Sequence, residues 1–408
     1  MNRFRIAFTG DIMCPPGLTE LCTSAGIICY DDLFSRIKSE LSDCDLLVGN
    51  LETPIAGAKL EYTHERYCFN SPDEFAVMLK DYGFGLLCLA NNHCMDRGEE
   101  GIDRTLDTLD RLGIRHTGLY RVGDAAGSAS HTGYTESAAA AEPAVSTELT
   151  SAVNPAATAN HPPCVIEQQG IRVAFVNYTY GTNAFAHHRF LTEDLSGRVN
   201  LFQPQETLPG SIHLLESEET IARETARLYS DPKPDEYYRY IKPHLERLKT
   251  DIDAARVESD YVVAVMHSGG QYNPMPDAYT RMLAQTLTEY GVDCIVGHHP
   301  HVIHPCEFIK RGDRQVFCAY SLGNLYCIPS ICQDVESSAH SVLLYLTLER
   351  DSSGIRLTSI EYRIICTSER EGSEPYCIKS LSSDSKSTPA DKYAALFENN
   401  NDNICRLY

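Results

Sequence analysis

Short apolar runs recur along the chain, and each ends in a turn rich in Gly, Asn, Asp or His. The runs lie in the segments RIAFTGDIM, CDLLVGNLETP, FGLLCLANNH, IRVAFVNYTYG, DYVVAVMHSGG, VDCIVGHHPH and QVFCAYSLGN. Runs of this kind between turn signals are typical of buried strands. The pattern therefore predicts strands that each lead into a polar loop.

Stretches with helical periodicity lie between several of these strands. DDLFSRIKSELSD, EEGIDRTLDTLDRLG and PDAYTRMLAQTLTEYG carry apolar residues at three- and four-residue spacings, and the second ends at Gly113. Alternating strands and helices predict an α/β fold with a largely parallel sheet. In such folds functional side chains gather at the carboxyl ends of the strands, which is where the polar motifs of this chain lie.

Two segments interrupt this alternation within a predicted domain of residues 1–365. Residues 125–163 are rich in Ala, Ser and Thr, and this composition predicts a disordered or weakly helical insertion. Residues 182–244 combine an acidic helical stretch with a Tyr-rich piece, and they could form a cap beside a functional site. Residues 366–408 are polar and Ser-rich and predict a loosely attached tail.

Composition narrows the class of protein. The 408 residues carry a formal net charge of -21, which argues against a nucleic-acid partner because such binding depends on Lys and Arg. The sixteen cysteines are scattered without a C-x-x-C pair, a pattern that favours a reducing cytoplasm over a disulfide framework. We expect neither a signal peptide nor a membrane span, since no apolar run approaches about 20 residues.

Polar side chains with ligand chemistry follow several of the predicted strands. They are Asp11 in TGDIMC, Glu52 in GNLETP, Asn91, Asn92, His93 and Asp96 in LANNHCMDRG, His267 in VMHSGG, and His298, His299 and His301 in IVGHHPHVIHP. Any one of them has a structural explanation; Asp11 alone would be read as a turn residue. Together they predict a metal site, and mixed nitrogen and oxygen ligands suit Mn, Fe or Zn better than Mg.

The histidine-rich segment IVGHHPHVIHP raises a question of geometry. His299 and His301 are two residues apart, so in an extended segment they lie on the same side and can converge on one ion. His298 would then point elsewhere.

The ordered motifs GDIM, GNLETP, LANNHCMDRGEEGIDRTL, HTGL, VMHSGGQY, GVDCIVGHHPHVIHP and YSLGN resemble the CapA family, from Ile6 to about Leu325. These are capsule or poly-γ-glutamate synthesis proteins built on a calcineurin-like metallophosphoesterase fold. The resemblance implies a four-layer α/β sandwich holding one or two divalent ions. It implies His93 as the catalytic histidine, and as metal ligands Asp11, Glu52 in place of a bridging Asp, Asn92, His267, His299 and His301.

The chain departs from the phosphoesterase pattern at two positions. Met13 stands where many of these enzymes have a His ligand, and Gln271 stands where a Glu is common. Ser321 and Asn324 in YSLGN could bind a substrate anion or simply form a turn. Asp96 is expected to shape the turn into the following helix.

Two functions remain open from the sequence. The first is a metal-dependent hydrolase of phosphoester type, with His93 assisting proton transfer on a small-molecule or polymer substrate. The second is a metal-binding accessory protein of polymer synthesis or export that has no turnover and works beside other polymer-synthesis proteins.

Overall fold

The fold is described from a computed structural model of the chain. The described residues are 2–15, 17–31, 33–63, 68–122, 161–191, 197–203, 205, 235–327, 336–352, 354–368, 377–380, 389–399 and 403–407. The predicted insertion at 125–163 therefore lies almost wholly outside them, as do large parts of the segment 182–244.

Strands and helices alternate over most of the described chain. The strands are β1 Asn2–Ile12, β2 Thr23–Ser24, β3 Ile27–Ile28, β4 Leu46–Leu51, β5 Phe84–Cys88, β6 Arg115–Thr117, β7 Cys164–Gln168, β8 Ile171–Thr179, β9 Tyr261–His267, β10 Cys294–His298, β11 Cys306–Arg311, β12 Arg314–Ala319, β13 His340–Asp351, β14 Gly354–Ser368, β15 Cys377–Ser380 and β16 Cys405–Arg406. The α-helices are α1 Leu18–Leu21, α2 Lys38–Leu41, α3 Asp73–Asp81, α4 Gly98–Leu112, α5 Ala184–His187, α6 Asp235–Glu258, α7 Ala278–Tyr290 and α8 Pro389–Glu398.

Two large sheets form the centre of the molecule. The first has the order β15-β14-β13-β1-β4-β5-β6, and β16 pairs with β14; the second has the order β11-β12-β10-β9-β8-β7. Strands β1, β4, β5 and β6 run parallel, and so do β8, β9, β10 and β12. The predicted parallel pairing is therefore found at the centre, while antiparallel strands extend the first sheet and edge the second.

The apolar side chains divide into three clusters that define four layers. One cluster lies between the sheets and includes Phe8, Phe175 and Val265. A second packs α3 and α4 on the outer face of the first sheet. A third packs α6 and α7 on the outer face of the second sheet. The order helix, sheet, sheet, helix confirms the predicted four-layer α/β sandwich.

Sequence signals at the helix ends agree with the structure. Helix α4 ends at Gly113, whose φ is 66°, a left-handed conformation that glycine adopts readily. Helix α7 begins at Asp277, whose carboxylate accepts a hydrogen bond from the Thr280 amide at 2.8 Å, and it ends at Gly291. A side-chain cap of this kind satisfies one of the free amides of the first turn.

Two sequence expectations need correction. DDLFSRIKSELSD forms a short 3-10 turn at Ser35–Ile37 and the single turn α2 instead of a regular helix. The described residues after Cys366 are not a loose tail, because β15 and β16 pair with β14 and Phe397 of α8 is fully buried. The apolar residues of this Ser-rich region are few, but they complete the cluster between the sheets.

Among the described cysteines, Cys327 is disulfide-bonded. Cys88, Cys294 and Cys318 are fully buried, as expected of thiols used as small apolar side chains. Within the described part of the chain, no helix is long and apolar enough to cross a membrane. A cytoplasmic location stays a prediction.

Candidate metal centre

The polar side chains singled out in the sequence meet at the carboxyl ends of strands from both sheets. Asp11, Glu52 and Asn92 come from the ends of β1, β4 and β5 in the first sheet, and His267 ends β9 in the second. His299 follows β10 directly. All five are at most 2 % exposed, so water competes little with contacts among them.

Two groups of side chains have the geometry to hold a cation. Ligand atoms of Asp11, Glu52 and His267 lie within 4.8 Å of one another, and so do those of Glu52, His299 and His301. Glu52 belongs to both groups, which is the position of a carboxylate that bridges two ions. The structure thus brings five of the predicted ligands together, with Asn92 beside them.

Glu52 has an environment that suits a bound cation. Neither of its carboxylate oxygens has a hydrogen-bond partner among the described residues, although the side chain is fully buried. Burial first, and then the nearby carboxylates of Asp11 and Asp96, raise its pKa well above the ordinary value. A buried carboxylate without hydrogen bonds is costly, and a divalent cation would relieve both the desolvation and the repulsion. The residues therefore fit a divalent metal.

Asp11 is held as a carboxylate by its neighbours. Its Oδ1 lies 2.9 Å from both Nδ2 of Asn50 and Nδ1 of His298, and its Oδ2 accepts from the His299 amide at 3.1 Å. Burial alone would raise the pKa of Asp11, but hydrogen bonds with His298 and His301 hold it well below the ordinary value. The sequence predicted that His298 would point away from the centre, and this prediction was wrong. His298 instead supports Asp11 through the hydrogen bond to its Oδ1.

His301 is oriented by a residue for which the sequence left two roles open. Its Nδ1 lies 2.9 Å from Oδ1 of Asn324, while its Nε2 lies 3.8 Å from Oε1 of Glu52. The hydrogen bond fixes the ring and directs Nε2 into the centre, as partners of metal-binding histidines commonly do. Asn324 therefore bonds to His301. Ser321 accepts a hydrogen bond from the Gly323 amide at 3.2 Å, within the turn.

The backbone at the two histidines differs from the extended segment that was expected. His299 has φ 99° and His301 has φ 60°, both in the left-handed region that non-glycine residues seldom adopt. The two rings still converge, with centroids 5.6 Å apart. Their convergence comes from this unusual turn and not from strand alternation. Such conformations persist where surrounding contacts impose them, often at functional sites.

His267 contacts both the first sheet and the other histidines. Its Nε2 lies 2.7 Å from Oδ1 of Asn92 and 3.6 Å from Oε1 of Glu52, and its Nδ1 lies 3.3 Å from Nδ2 of Asn50. Burial, and then the neighbouring His299, lower its pKa well below the ordinary value. The ring is therefore neutral, which is the form that binds metals.

His93 forms a pair with Asp96. Nδ1 of His93 lies 2.7 Å from Oδ2 of Asp96, and the ring stacks on Phe69 at a centroid distance of 4.2 Å. Asp96 also accepts from the Phe69 amide at 2.6 Å and lies 3.3 Å from Nε2 of His187. Burial would raise the pKa of Asp96, but the charges and hydrogen bonds of His93 and His187 lower it. Asp96 therefore holds His93, a role that its position in the sequence did not reveal.

Part of the predicted cap segment reaches this pair. Asn183 precedes the one-turn helix α5, and its side chain lies 3.2 Å from Nδ2 of Asn92 and 3.5 Å from Nδ1 of His93. No signal in the sequence marks Asn183, because the contact spans about ninety positions. A cap over the rest of 182–244 stays a prediction.

The remaining candidates lie outside the cluster. His304 bonds through Nε2 to the Asn273 carbonyl at 2.7 Å, so it supports the loop after β9. Met13 is buried at 6 % exposure and offers no nitrogen or oxygen ligand, so Asp11 stays the one ligand predicted from β1. Gln271 is exposed.

Comparison with known families gives a match over most of the chain. The family model described as "Bacterial capsule synthesis protein PGA_cap" matches residues 5–140 and 148–328. The chain belongs to this family. Among curated members, "PGA biosynthesis protein CapA" of Bacillus subtilis (strain 168) is 25% identical over 320 residues, covering 78% of this chain and 62% of the relative. "Capsule biosynthesis protein CapA" of Bacillus anthracis is 23% identical, covering 79% and 59%.

The PGA_cap chain thus spans about three-fifths of the length of these relatives.

Among solved structures, the calcineurin-like phosphoesterase YfkN from Bacillus subtilis has a TM-score of 0.44 at 13% identity, over 89% of this chain and 90% of that one. A hypothetical protein from Thermus thermophilus has a TM-score of 0.42 at 12% identity, over 88% and 98%.

Proposed function

We propose that this PGA_cap protein is a metal-dependent hydrolase of phosphoester type that acts in capsule or poly-γ-glutamate metabolism. The observation that carries the proposal is Glu52, a buried carboxylate with two unpartnered oxygens that is shared by two potential ligand groups. The names of the Bacillus relatives support the polymer context.

The proposed ligands divide between two positions. Asp11, Glu52 and His267 would hold one ion, and Glu52, His299 and His301 a second, with the Asn92 oxygen beside His267. Mixed carboxylate, amide and imidazole ligands favour Mn, Fe or Zn. When bound, such ions activate water and polarise a phosphoryl oxygen.

His93 would handle the proton of the leaving group. Asp96 occupies its Nδ1, and Phe69 fixes the plane of the ring, so Nε2 is the nitrogen that can exchange a proton with substrate. Asp96, fully buried and with a lowered pKa, keeps the ring in one orientation throughout. This arrangement suits general acid–base assistance, which typically contributes about 10²–10⁴-fold in rate.

A second function is favoured by one observation. Met13 gives β1 no second ligand, so one ion position has fewer protein ligands than in a two-metal phosphoesterase of the common pattern. A metal-binding accessory protein of polymer synthesis or export, without turnover, would tolerate that loss.

Turnover separates the two functions. We expect the purified chain, supplied with Mn, Zn or Fe, to hydrolyse bis-p-nitrophenyl phosphate or p-nitrophenyl phosphate. His93→Ala should lower kcat by about 10²–10⁴-fold with unchanged metal content, because His93 belongs to neither ligand group. His267→Ala should lower metal content and activity together.

Absence of turnover on phosphoesters with each metal would refute the hydrolase and leave the accessory function. Loss of metal from His93→Ala as complete as from His267→Ala would show that His93 is a ligand instead of a proton donor.

A further inference from the structure

We propose that a cavity at the opposite end of the molecule from the metal centre binds an amphiphilic organic anion. The cavity has a volume of about 720 Å³ and is lined in part by Tyr261 and Val262 at the start of β9. His267 lies at the other end of the same strand, and seven residues of strand span about 20 Å. The cavity is therefore separate from the centre described above.

One wall of the cavity is apolar. Phe308, Ile355 and Leu357 line it and are only partly buried, although all three pack on the apolar cluster between the sheets. The ring of Phe308 lies 5.6 Å from that of Phe317, which also lines the cavity. These side chains leave apolar surface in contact with solvent, and burying that surface under a ligand would be favourable.

Three arginines also line the cavity, and each uses only some of its N–H donors in the hydrogen bonds of the protein. Arg256 donates through Nη1 to the Gly291 carbonyl, Arg314 through Nη2 to Asp293, and Arg356 through Nη2 to Asp351. A guanidinium carries five N–H donors and no acceptor. Each of the three arginines therefore has donors to spare for a ligand oxygen.

The two acids that line the cavity are already paired with donors of the protein. Asp293 accepts from Arg314 through Oδ1 and from the Val262 amide through Oδ2 at 2.9 Å. Asp260 accepts from Arg350 at 2.7 Å and is ion-paired with a second arginine at 3.6 Å. Three arginines but only two acids line the cavity, so its charged side chains favour an anion over a cation.

The ligand chemistry follows from these walls. A carboxylate, phosphate or sulfonate head would accept from the arginines, which bind such oxyanions through paired, charge-assisted hydrogen bonds, and an apolar body would cover Phe308 and Leu357. The volume is within the range of about 300–1,000 Å³ typical of small-molecule sites. In a chain of net charge -21, the overall field opposes an anion, so the ligand depends on this local arginine group.

The test uses 8-anilinonaphthalene-1-sulfonate, an anion with an apolar body, and the native full-length chain. We expect saturable fluorescence enhancement at one site. The double variant Arg314→Gln, Arg356→Gln should raise the Kd at least about tenfold, because it removes two charge-assisted donors. The matched control is Arg111→Gln, Arg121→Gln, which alters two ion-paired arginines elsewhere and should leave the Kd unchanged.

Competition tests the need for charge. Decanoate should displace the probe, and decanol, which has the same chain without the charge, should not. If the double variant does not fold, judged by its thermal midpoint, Arg356→Gln alone should still raise the Kd about threefold. Unsaturable binding, equal displacement by decanol, or an unchanged Kd in a folded arginine variant would each overturn the proposal. Glu52→Gln should bind the probe normally, which separates this result from the metal centre.

Discussion

At the scale of single residues, the proposed ligands and His93 depend on partners outside the two ligand groups. Asn324 fixes His301, His298 supports Asp11, and Asp96 fixes His93. Partners of this kind commonly contribute about 10–100-fold to metal affinity or activity. The side chains of the centre are thus held before any ion arrives.

Asn324→Ala should weaken metal binding by about 10–100-fold. The substitution removes the acceptor 2.9 Å from Nδ1 of His301, so the ring can rotate away from Glu52. Affinity is measured by competition with a chelating dye. Ser321→Ala is the matched control from the same turn, since its hydroxyl bonds only to the neighbouring Gly323 amide among the contacts described. Equal affinity in wild type and Asn324→Ala would remove the assigned role.

The sequence identified the ligand candidates, but it could not identify these partners. Asp11, Glu52 and His267 each follow an apolar strand, so the strand pattern alone places them at one edge. The bond between His298 and Asp11 spans 287 positions, and the bond between His301 and Asn324 spans 23. Such pairings are fixed by packing and by the left-handed turn at His299, neither of which leaves a periodic signal.

At the scale of elements, the sequence predicted correctly the strands whose apolar pattern is uniform from end to end. Buried runs such as β9 and β10 have apolar side chains throughout and turn residues at their ends. Prediction failed for α2, whose apolar spacing looks helical but which forms one turn. It also missed the long antiparallel pair β13 and β14. The packing of the C-terminal residues was missed because only a few apolar side chains there, such as Phe397, make the contact.

Phe397→Ala tests the correction of the C-terminal tail. Phe397 of α8 is fully buried in the cluster between the sheets, with its ring 5.0 Å from that of Tyr362. Truncating a buried Phe typically costs about 3–5 kcal/mol, so urea unfolding should show a loss of that size. Ala395→Ser, at an exposed position of the same helix, should change stability by less than about 0.5 kcal/mol. A loose tail would give a negligible loss for both variants.

At the scale of the whole molecule, the fold concentrates buried titratable groups, so stability should vary with pH. Burial lowers the pKa of His304 to about 4, below the value of about 6.5 in an unfolded chain. Between these values the unfolded chain takes up a proton that the folded chain does not. Folding stability should therefore fall as the pH falls through this window, by up to about 1.4 kcal/mol per pH unit for this group.

His304→Gln isolates that contribution. Glutamine can still donate to the Asn273 carbonyl but does not titrate. Urea unfolding at a series of pH values from 4 to 6.5 should show a shallower slope for the variant, by about one proton. An unchanged slope would mean that His304 does not contribute to the acid sensitivity.

The candidate metal centre joins the two sheets, because Asp11 and Glu52 come from one and His267, His299 and His301 from the other. A bound ion would stabilise the folded chain by mass action, by about 2.7 kcal/mol at a hundredfold excess over its Kd. Without the ion, Glu52 should instead destabilise the folded chain. Its pKa is raised in the folded state, so at a pH above the pKa of an unfolded Glu its ionisation favours the unfolded chain.

Glu52→Gln, assayed for metal content and for thermal midpoint after chelation, tests the central claim most directly. The substitution keeps the shape of the side chain and removes the charge. We predict that wild type holds one or two equivalents of Mn, Fe or Zn by elemental analysis, that the variant loses most of it, and that the metal-free variant melts at a higher temperature than metal-free wild type. Full metal content in Glu52→Gln, or a lower midpoint of its metal-free form, would contradict a metal centre built around this carboxylate.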